Sequence, residues 1–176
     1  MEATTVYIAL GSNLGDRRSN LLDAISQLRQ KVVIEKISAL YETEPAYVTD
    51  QPRFYNMVLR GRTHLTPQEL LRFAKSTERR LGRTDTLRYG PRPIDIDILA
   101  YGDLQLDEPD LTIPHPRIAE RDFVLAPLAE IAPDLVLPGH QETVTGLARQ
   151  LDGHGQGAVV RVLQGLTSQF SRDIQS

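Results

Sequence analysis

Strand, helix, strand, strand, helix, strand is the order in which apolar patterns follow one another along this 176-residue chain, and that order predicts an α+β fold. The expected core is ferredoxin-like, βαββαβ: an antiparallel sheet with both helices packed on one face, followed by helical additions on the C-terminal side. Two more observations agree. Hydrophobic residues make up 40% of the chain, enough for one core of this size, and clusters of Gly, Pro, Asn and Asp punctuate the patterns. Residues 1–176 are expected to be a single domain.

Each element has its own signal. Val6-Tyr7-Ile8-Ala9-Leu10 is a short apolar run ending at Gly11-Ser12-Asn13-Leu14-Gly15-Asp16, so a strand runs into a loop. Leu21, Leu22, Ile25 and Leu28 recur at helical spacing behind Asp16, a cap residue, and predict a helix over 17–30. β-branched stretches over 32–41 and 54–62, separated by the Pro-containing segment 44–52, predict two strands. Thr66-Pro67-Gln68-Glu69 combines a cap residue, a first-turn proline and a third-position glutamate ahead of an apolar stripe that stops at Gly82, which predicts a helix. Alternation over 94–101 predicts a fourth strand, ending at Gly102-Asp103. Residues 123–131 and 143–151 read as helices, 158–163 as a strand and the polar 164–176 as a loose tail.

Composition excludes several function classes. A formal charge of −3 lacks the basic excess that phosphate-backbone binding requires, so no nucleic-acid partner is expected. The absence of cysteine removes disulfides, thiolate nucleophiles and the usual structural zinc. No apolar run reaches the roughly 18 residues that suggest a membrane span, and Met1-Glu2-Ala3-Thr4-Thr5 does not open a signal peptide. A cytoplasmic protein with no membrane partner is the expectation. Of the 20 basic residues only Lys31, Lys36 and Lys75 are lysines, and the arginine forks that remain suit oxyanions.

The chemistry concentrates in one strand. In Arg92-Pro93-Ile94-Asp95-Ile96-Asp97-Ile98-Leu99, residues two apart share a face, so the isoleucines point one way and Asp95 and Asp97 the other, onto a solvated face. Their Cα atoms lie about 6.6 Å apart, and two like charges at that spacing call for a cation between them. An amphipathic strand with a solvated face would read the same way. Upstream, Arg79, Arg80, Arg83, Arg88 and Arg92 lead through Tyr89-Gly90-Pro91 into the aspartates, which is the charge neutralisation a nucleotide polyphosphate needs. Gly11 to Gly15 lacks the lysine and hydroxyl of a P-loop.

Arg88-Tyr89-Gly90-Pro91-Arg92-Pro93-Ile94-Asp95-Ile96-Asp97-Ile98-Leu99 resembles the signature of the hydroxymethyl-dihydropterin pyrophosphokinases. Ala9-Leu10-Gly11-Ser12-Asn13-Leu14-Gly15-Asp16, Tyr41-Glu42-Thr43-Glu44-Pro45, Gln51-Pro52 through Asn56, and Ile113-Pro114-His115-Pro116 join it in order, so the resemblance covers about 5–150. It implies transfer of pyrophosphate from ATP to 6-hydroxymethyl-7,8-dihydropterin, giving the pterin diphosphate and AMP in folate biosynthesis, by a monomer assisted by two Mg²⁺ ions.

By the same resemblance Asp95 and Asp97 hold the metal, and Arg92, Asp95, Asp97 and Arg83 carry catalysis. Arg88, Arg92, His115 and Arg121 meet the ATP phosphates, with Ile98 and Thr112 near its adenine or ribose. Thr43, Pro45, Phe54, Asn56 and Phe123 form the pterin site, the two phenylalanines sandwiching the ring while the Asn56 amide reads its edge. Two alternatives stay open: another Mg²⁺-dependent phosphotransferase that releases ADP, and a non-enzymatic ligand-binding domain on a ferredoxin-like core.

Overall fold

The computed structural model describes residues 2–83 and 89–163. Along the chain come β1 (Thr4–Ser12), α1 (Arg17–Leu28), β2 (Val32–Ile37), β3 (Leu40–Thr43), β4 (Phe54–Thr63), α2 (Pro67–Arg80), β5 (Asp95–Tyr101), β6 (Leu106–Glu108), β7 (Leu111–Ile113), α3 (Asp122–Ile131), α4 (Val144–Leu151) and β8 (Val159–Leu163). The main sheet runs β5-β1-β4-β3-β8, with β2 also paired to β4, and every pairing is antiparallel. This is the expected βαββαβ arrangement with an extra strand, β8, beyond β3.

Local chemistry starts the helices where the sequence signals placed them. The Asp16 carboxylate accepts from the Ser19 N–H (3.0 Å) at the start of α1. At α2, Thr66 and Glu69 exchange bonds between side chain and backbone in both directions (3.0 and 3.2 Å), with Pro67 in the first turn, where its missing N–H is not needed.

Strand alternation then divides the core in two. Val6, Ile8 and Leu10 of β1 share one face with Met57, Leu59, Ile96 and Ile98, and α1 and α2 close over them with Leu21, Ile25, Leu28, Leu70 and Ala74. On the opposite face Tyr7, Val58 and Leu99 meet Val124, Leu125 and Leu128 of α3 and Val144 and Leu147 of α4. Burying each large aliphatic side chain contributes about 1.5–3 kcal/mol, so both faces stabilise the sheet.

Three expectations change. The strand expected over 32–41 is two strands, because the Ala39 N–H leaves the ladder and donates to both carboxylate oxygens of Glu130 on α3 (3.1 and 3.0 Å). The face bearing the aspartates is not solvated along its length: Leu99 is buried under α3 and α4, and Asp95 and Asp97 are themselves half-buried. The hairpin β6–β7 was not foreseen, since its three-residue strands are too short to show a period. The tail expected over 164–176 lies outside the described residues. Among those described, no helix is long and apolar enough to cross a membrane.

Candidate active site

The site is the part of the second sheet face that α3 and α4 leave uncovered. Facing residues of antiparallel neighbours share a side of the sheet. The register sets Asp95 against Gly11, Gly11 against Asn56 and Asn56 against Tyr41, a row across four strands. Asp97 lies one step along, against Ala9, and Thr43 lies against Phe54. Gly11 in mid-row keeps the floor open: a Cβ there would fall inside 3.0 Å of Asn56 Oδ1, where real Cβ atoms are not found. Asn56, buried, donates its Nδ2–H to Thr43 Oγ1 (2.8 Å), which fixes the amide orientation.

Over this floor stands a cavity of about 450 Å³, a size typical of small-ligand sites. Ten of the residues singled out from the sequence line it: Thr43, Phe54, Asn56, Arg83, Arg92, Asp95, Asp97, His115, Arg121 and Phe123. Three do not. Pro45 is buried between wall residues Glu44 and Ala46, Ile98 faces the core beneath α1 and α2, and Thr112 sits on β7 with its hydroxyl 3.4 Å from Asp107 Oδ1. Arg88 lies outside the described residues.

One end of the cavity is charged. Asp95 Oδ1 accepts from Arg83 (2.8 Å) and lies 3.5 Å from the Arg92 guanidinium. Burial works to raise the Asp95 carboxyl, but Arg92 and Arg83 outweigh it and hold it below the ordinary range. Among the described residues no arginine lies so close to Asp97: burial first, then the Asp95 charge, push it up to about 7. With Asp95 held ionised by its arginines, the two carboxylates repel each other, and a cation between them would relieve that repulsion. Two carboxylates on one face are the oxygen donors a hard divalent ion takes, and Mg²⁺ commonly keeps waters and substrate phosphates as its remaining ligands. Among the described residues no cluster of three or more His, Cys, Asp and Glu placed to hold a metal ion is present.

His115 is pushed down to about 4 by burial and by the Arg121 charge, so it is neutral at pH 7. Its Nδ1 accepts the Arg117 N–H (3.2 Å), which leaves the proton on Nε2 as a donor. Arg121 is buried, its Nε donates to the Tyr47 hydroxyl (3.1 Å) and its guanidinium lies 5.3 Å from the Phe123 ring centre.

The loops are tied together. Asn13, after β1, exchanges backbone and side-chain bonds with Arg92 (3.1 and 2.9 Å) and donates to the Gln51 and Pro52 oxygens (2.9 and 3.0 Å), while Gln51 donates to the Tyr89 carbonyl (2.6 Å).

Sequence reasoning missed Tyr47, Lys75, Glu78 and Arg117. Glu78 bridges Arg83 and the Ile96 N–H (2.9 Å to the latter), so it positions β5 and the arginine together. Its signal was present: it stands on the buried side of α2 with Leu70, Ala74 and Thr77, and a carboxylate there needs partners. Tyr47 and Tyr89 carry φ of 63° and 61° and stack at 4.5 Å at the cavity wall, which no local pattern announces.

Comparison with known proteins adds the following. Residues 7–133 match the family model of 7,8-dihydro-6-hydroxymethylpterin-pyrophosphokinase. The chain is similar to the 2-amino-4-hydroxy-6-hydroxymethyldihydropteridine pyrophosphokinases of Bacillus subtilis (48% identical, covering 71% of this chain and 76% of the relative) and Aquifex aeolicus (46%, covering 76% and 84%). It is also similar to the mitochondrial folate synthesis bifunctional protein of Pisum sativum, 54% identical over 127 residues, of which it spans only 25% of the length. Among solved structures, an HPPK-DHPS in complex with substrates superposes with a TM-score of 0.70 at 14% identity, covering 85% of this chain and 43% of that one, a likeness of fold.

Proposed function

Because the chain belongs to the 7,8-dihydro-6-hydroxymethylpterin-pyrophosphokinase family, we propose that it transfers a pyrophosphoryl group from ATP to 6-hydroxymethyl-7,8-dihydropterin, releasing AMP. The observation that carries this reading is the juxtaposition, in one cavity, of an acidic-arginine end with an end bearing two phenylalanines and an oriented amide. A polyphosphate needs the first and a flat heterocycle the second. In this reading the chain acts as a single-domain monomer in the cytoplasm on small molecules alone.

The residues divide the work. Asp95 and Asp97 would hold Mg²⁺, two ions in this proposal, which when bound neutralise the triphosphate and polarise the group in transfer. Arg92 and Arg83, with Arg88, give charge-assisted bonds to phosphate oxygens, and Arg121 and the His115 Nε2–H add donors on the far side. Phe54 and Phe123 sandwich the pterin, Asn56 reads its edge and Thr43 lines the same subsite, while Pro45, buried behind the wall, shapes it only through its neighbours Glu44 and Ala46. Ile98 faces the core and serves the site only by holding β5, and Thr112, on β7 outside the cavity, is left as the one candidate of the two for an adenine or ribose contact. The pterin hydroxymethyl oxygen attacks the β-phosphorus, the bond from that phosphorus to the oxygen of the α-phosphate breaks, and the hydroxyl proton leaves to water.

The test mixes the protein with ATP, Mg²⁺ and the pterin, separates the nucleotides, and repeats the run without pterin or without Mg²⁺. AMP that forms only with both is the expected result. ADP would replace this reading with ordinary phosphoryl transfer, and Mg²⁺-dependent ATP binding without pterin-dependent turnover would assign another acceptor.

A further inference from the structure

The two walls of the aromatic half of the cavity are stitched together by a strap that lies beyond the matched residues 7–133. Residues 155–158 run from the loop after α4 into β8. Toward one wall, the Ala158 carbonyl accepts from the Glu44 N–H (2.9 Å), and the Gln156 Oε1 accepts from the Tyr47 N–H (3.2 Å). Toward the other, the Gln156 N–H donates to the Glu120 carbonyl (2.8 Å), the Gln156 carbonyl accepts from the Asp122 N–H (2.9 Å), and the Gly155 N–H donates to Asp122 Oδ2 (2.6 Å). These bonds bracket Arg121, near Phe123 in sequence, on one side and Pro45 and Ala46, near Thr43, on the other.

Tyr47 needs that hold. A left-handed backbone is disfavoured for a residue with a Cβ. Tyr47 has φ 63° inside a tight turn in which the Val48 N–H donates to the Ala46 carbonyl (2.7 Å). The Tyr47 hydroxyl meanwhile donates to Glu120 Oε1 (2.6 Å) and accepts from Arg121 Nε. Backbone through Gln156 and ring through Glu120 thus fasten the same residue to the opposite wall. The strap also closes on the aromatic ring, because Gly157, φ 66°, approaches Phe123 so nearly that an added Cβ would sit 3.0 Å from its Cβ and Cγ.

We propose that Gln156 is a positioning residue for the acceptor subsite: its side-chain amide sets the spacing between the Tyr47 wall and the Phe123 wall, and so the fit of a flat bicyclic ligand between them. The inference rests on the reading of this cavity as a pterin site. The side chain is separable from the fold, since the strap's bonds to Glu120 and Asp122 are made by the Gln156 backbone and survive substitution. Gln156→Met keeps the length and loses the carboxamide, and with it the Oε1 acceptor; Gln156→Glu keeps an oxygen acceptor at that place while adding a charge.

The experiment measures KM for pterin and for ATP, kcat and Tm in the full chain and both variants, with pterin binding measured directly beside a non-hydrolysable ATP analogue. Loss of one hydrogen bond predicts a pterin KM and Kd raised roughly three- to tenfold in Gln156→Met. KM for ATP, kcat and Tm should stay near those of the parent, and Gln156→Glu should bind pterin as the parent does. Unchanged pterin affinity in Gln156→Met, a parallel rise in both KM values, or a Gln156→Glu variant as impaired as Gln156→Met would overturn the inference while leaving the function in place. A parent protein that neither binds pterin nor forms AMP with it would overturn the reading of the site, and this inference with it.

Discussion

Gly11→Ala offers a sharp test of the site's floor, because the substitution adds one methyl group and touches no proposed ligand contact of its own. The new Cβ would overlap Asn56 Oδ1, while standing 3.5 Å from Asn56 Cγ and 3.6 Å from Phe54 Cδ1, both ordinary contacts. The strain therefore falls on one atom of the oriented amide, which must retreat by about 1 Å to reach normal separation. Asn56 is buried in a β4 strand clamped on both sides, so the amide turns or shifts and weakens its 2.8 Å bond to Thr43. Overpacking costs about 1–3 kcal/mol, offset by up to about 1 kcal/mol from the less flexible unfolded chain. A net loss near 1–2 kcal/mol lowers Tm by roughly 2–8 °C in a domain of this size. Pterin affinity should fall roughly 10–100-fold, the equivalent of one or two misaligned hydrogen bonds, with ATP affinity little changed. Thermal unfolding and calorimetric titration read both quantities. In the double variant Gly11→Ala/Asn56→Ala the overlap disappears, so its stability should exceed the sum of the single effects by about 1 kcal/mol or more. A folded Gly11→Ala protein with unaltered pterin affinity, or strict additivity in the double variant, would refute the reasoning.

Asp97→Asn removes the carboxylate that burial and Asp95 push up to about 7, so Tm should hold or rise while Mg²⁺-dependent turnover falls by about 100-fold or more; near-normal turnover would end the metal assignment. Phe123→Ala should weaken pterin binding by about 1–3 kcal/mol and spare ATP, and an unchanged pterin Kd would return the ring to a packing role. His115 predicts a pH dependence of stability. Its folded pKa of about 4 lies below the unfolded 6.5, so the unfolded chain binds the extra proton, and the stability it contributes is present above pH 6.5 and lost as pH falls toward 4. The difference amounts to about 3 kcal/mol, and Asp97 titrates with the opposite sign in the same window. The parent should therefore be compared with His115→Gln at each pH by denaturant unfolding, where parallel curves would contradict the buried neutral imidazole.

Local signals carried much of this protein. The capping box at Thr66 and Glu69, the alternation through Ile94, Ile96 and Ile98, and the cap at Asp16 act within a few residues, so the chain declares them before it folds. The aspartate strand was legible for the same reason: period two is a local fact, and it puts Asp95 and Asp97 together whatever surrounds them. What surrounds them was not legible. The Ala39 bond to Glu130 splits a strand from far along the chain, and α3 and α4 cover the face that alternation alone left open to water. Whether two carboxylates on one side of a strand titrate normally depends on burial and on which arginines arrive, and among the described residues Arg83 reaches Asp95 whereas no arginine is so close to Asp97. The register that seats Gly11 between Asp95 and Asn56, and the strap that binds Tyr47 to the Phe123 wall, join residues distant in sequence. Sequence by itself determined the elements and the chemistry available, because propensity, capping and periodicity act over single turns. Only the tertiary structure decided which of those groups meet, how deeply they are buried and which are charged, because burial and electrostatic partners are properties of packed neighbours.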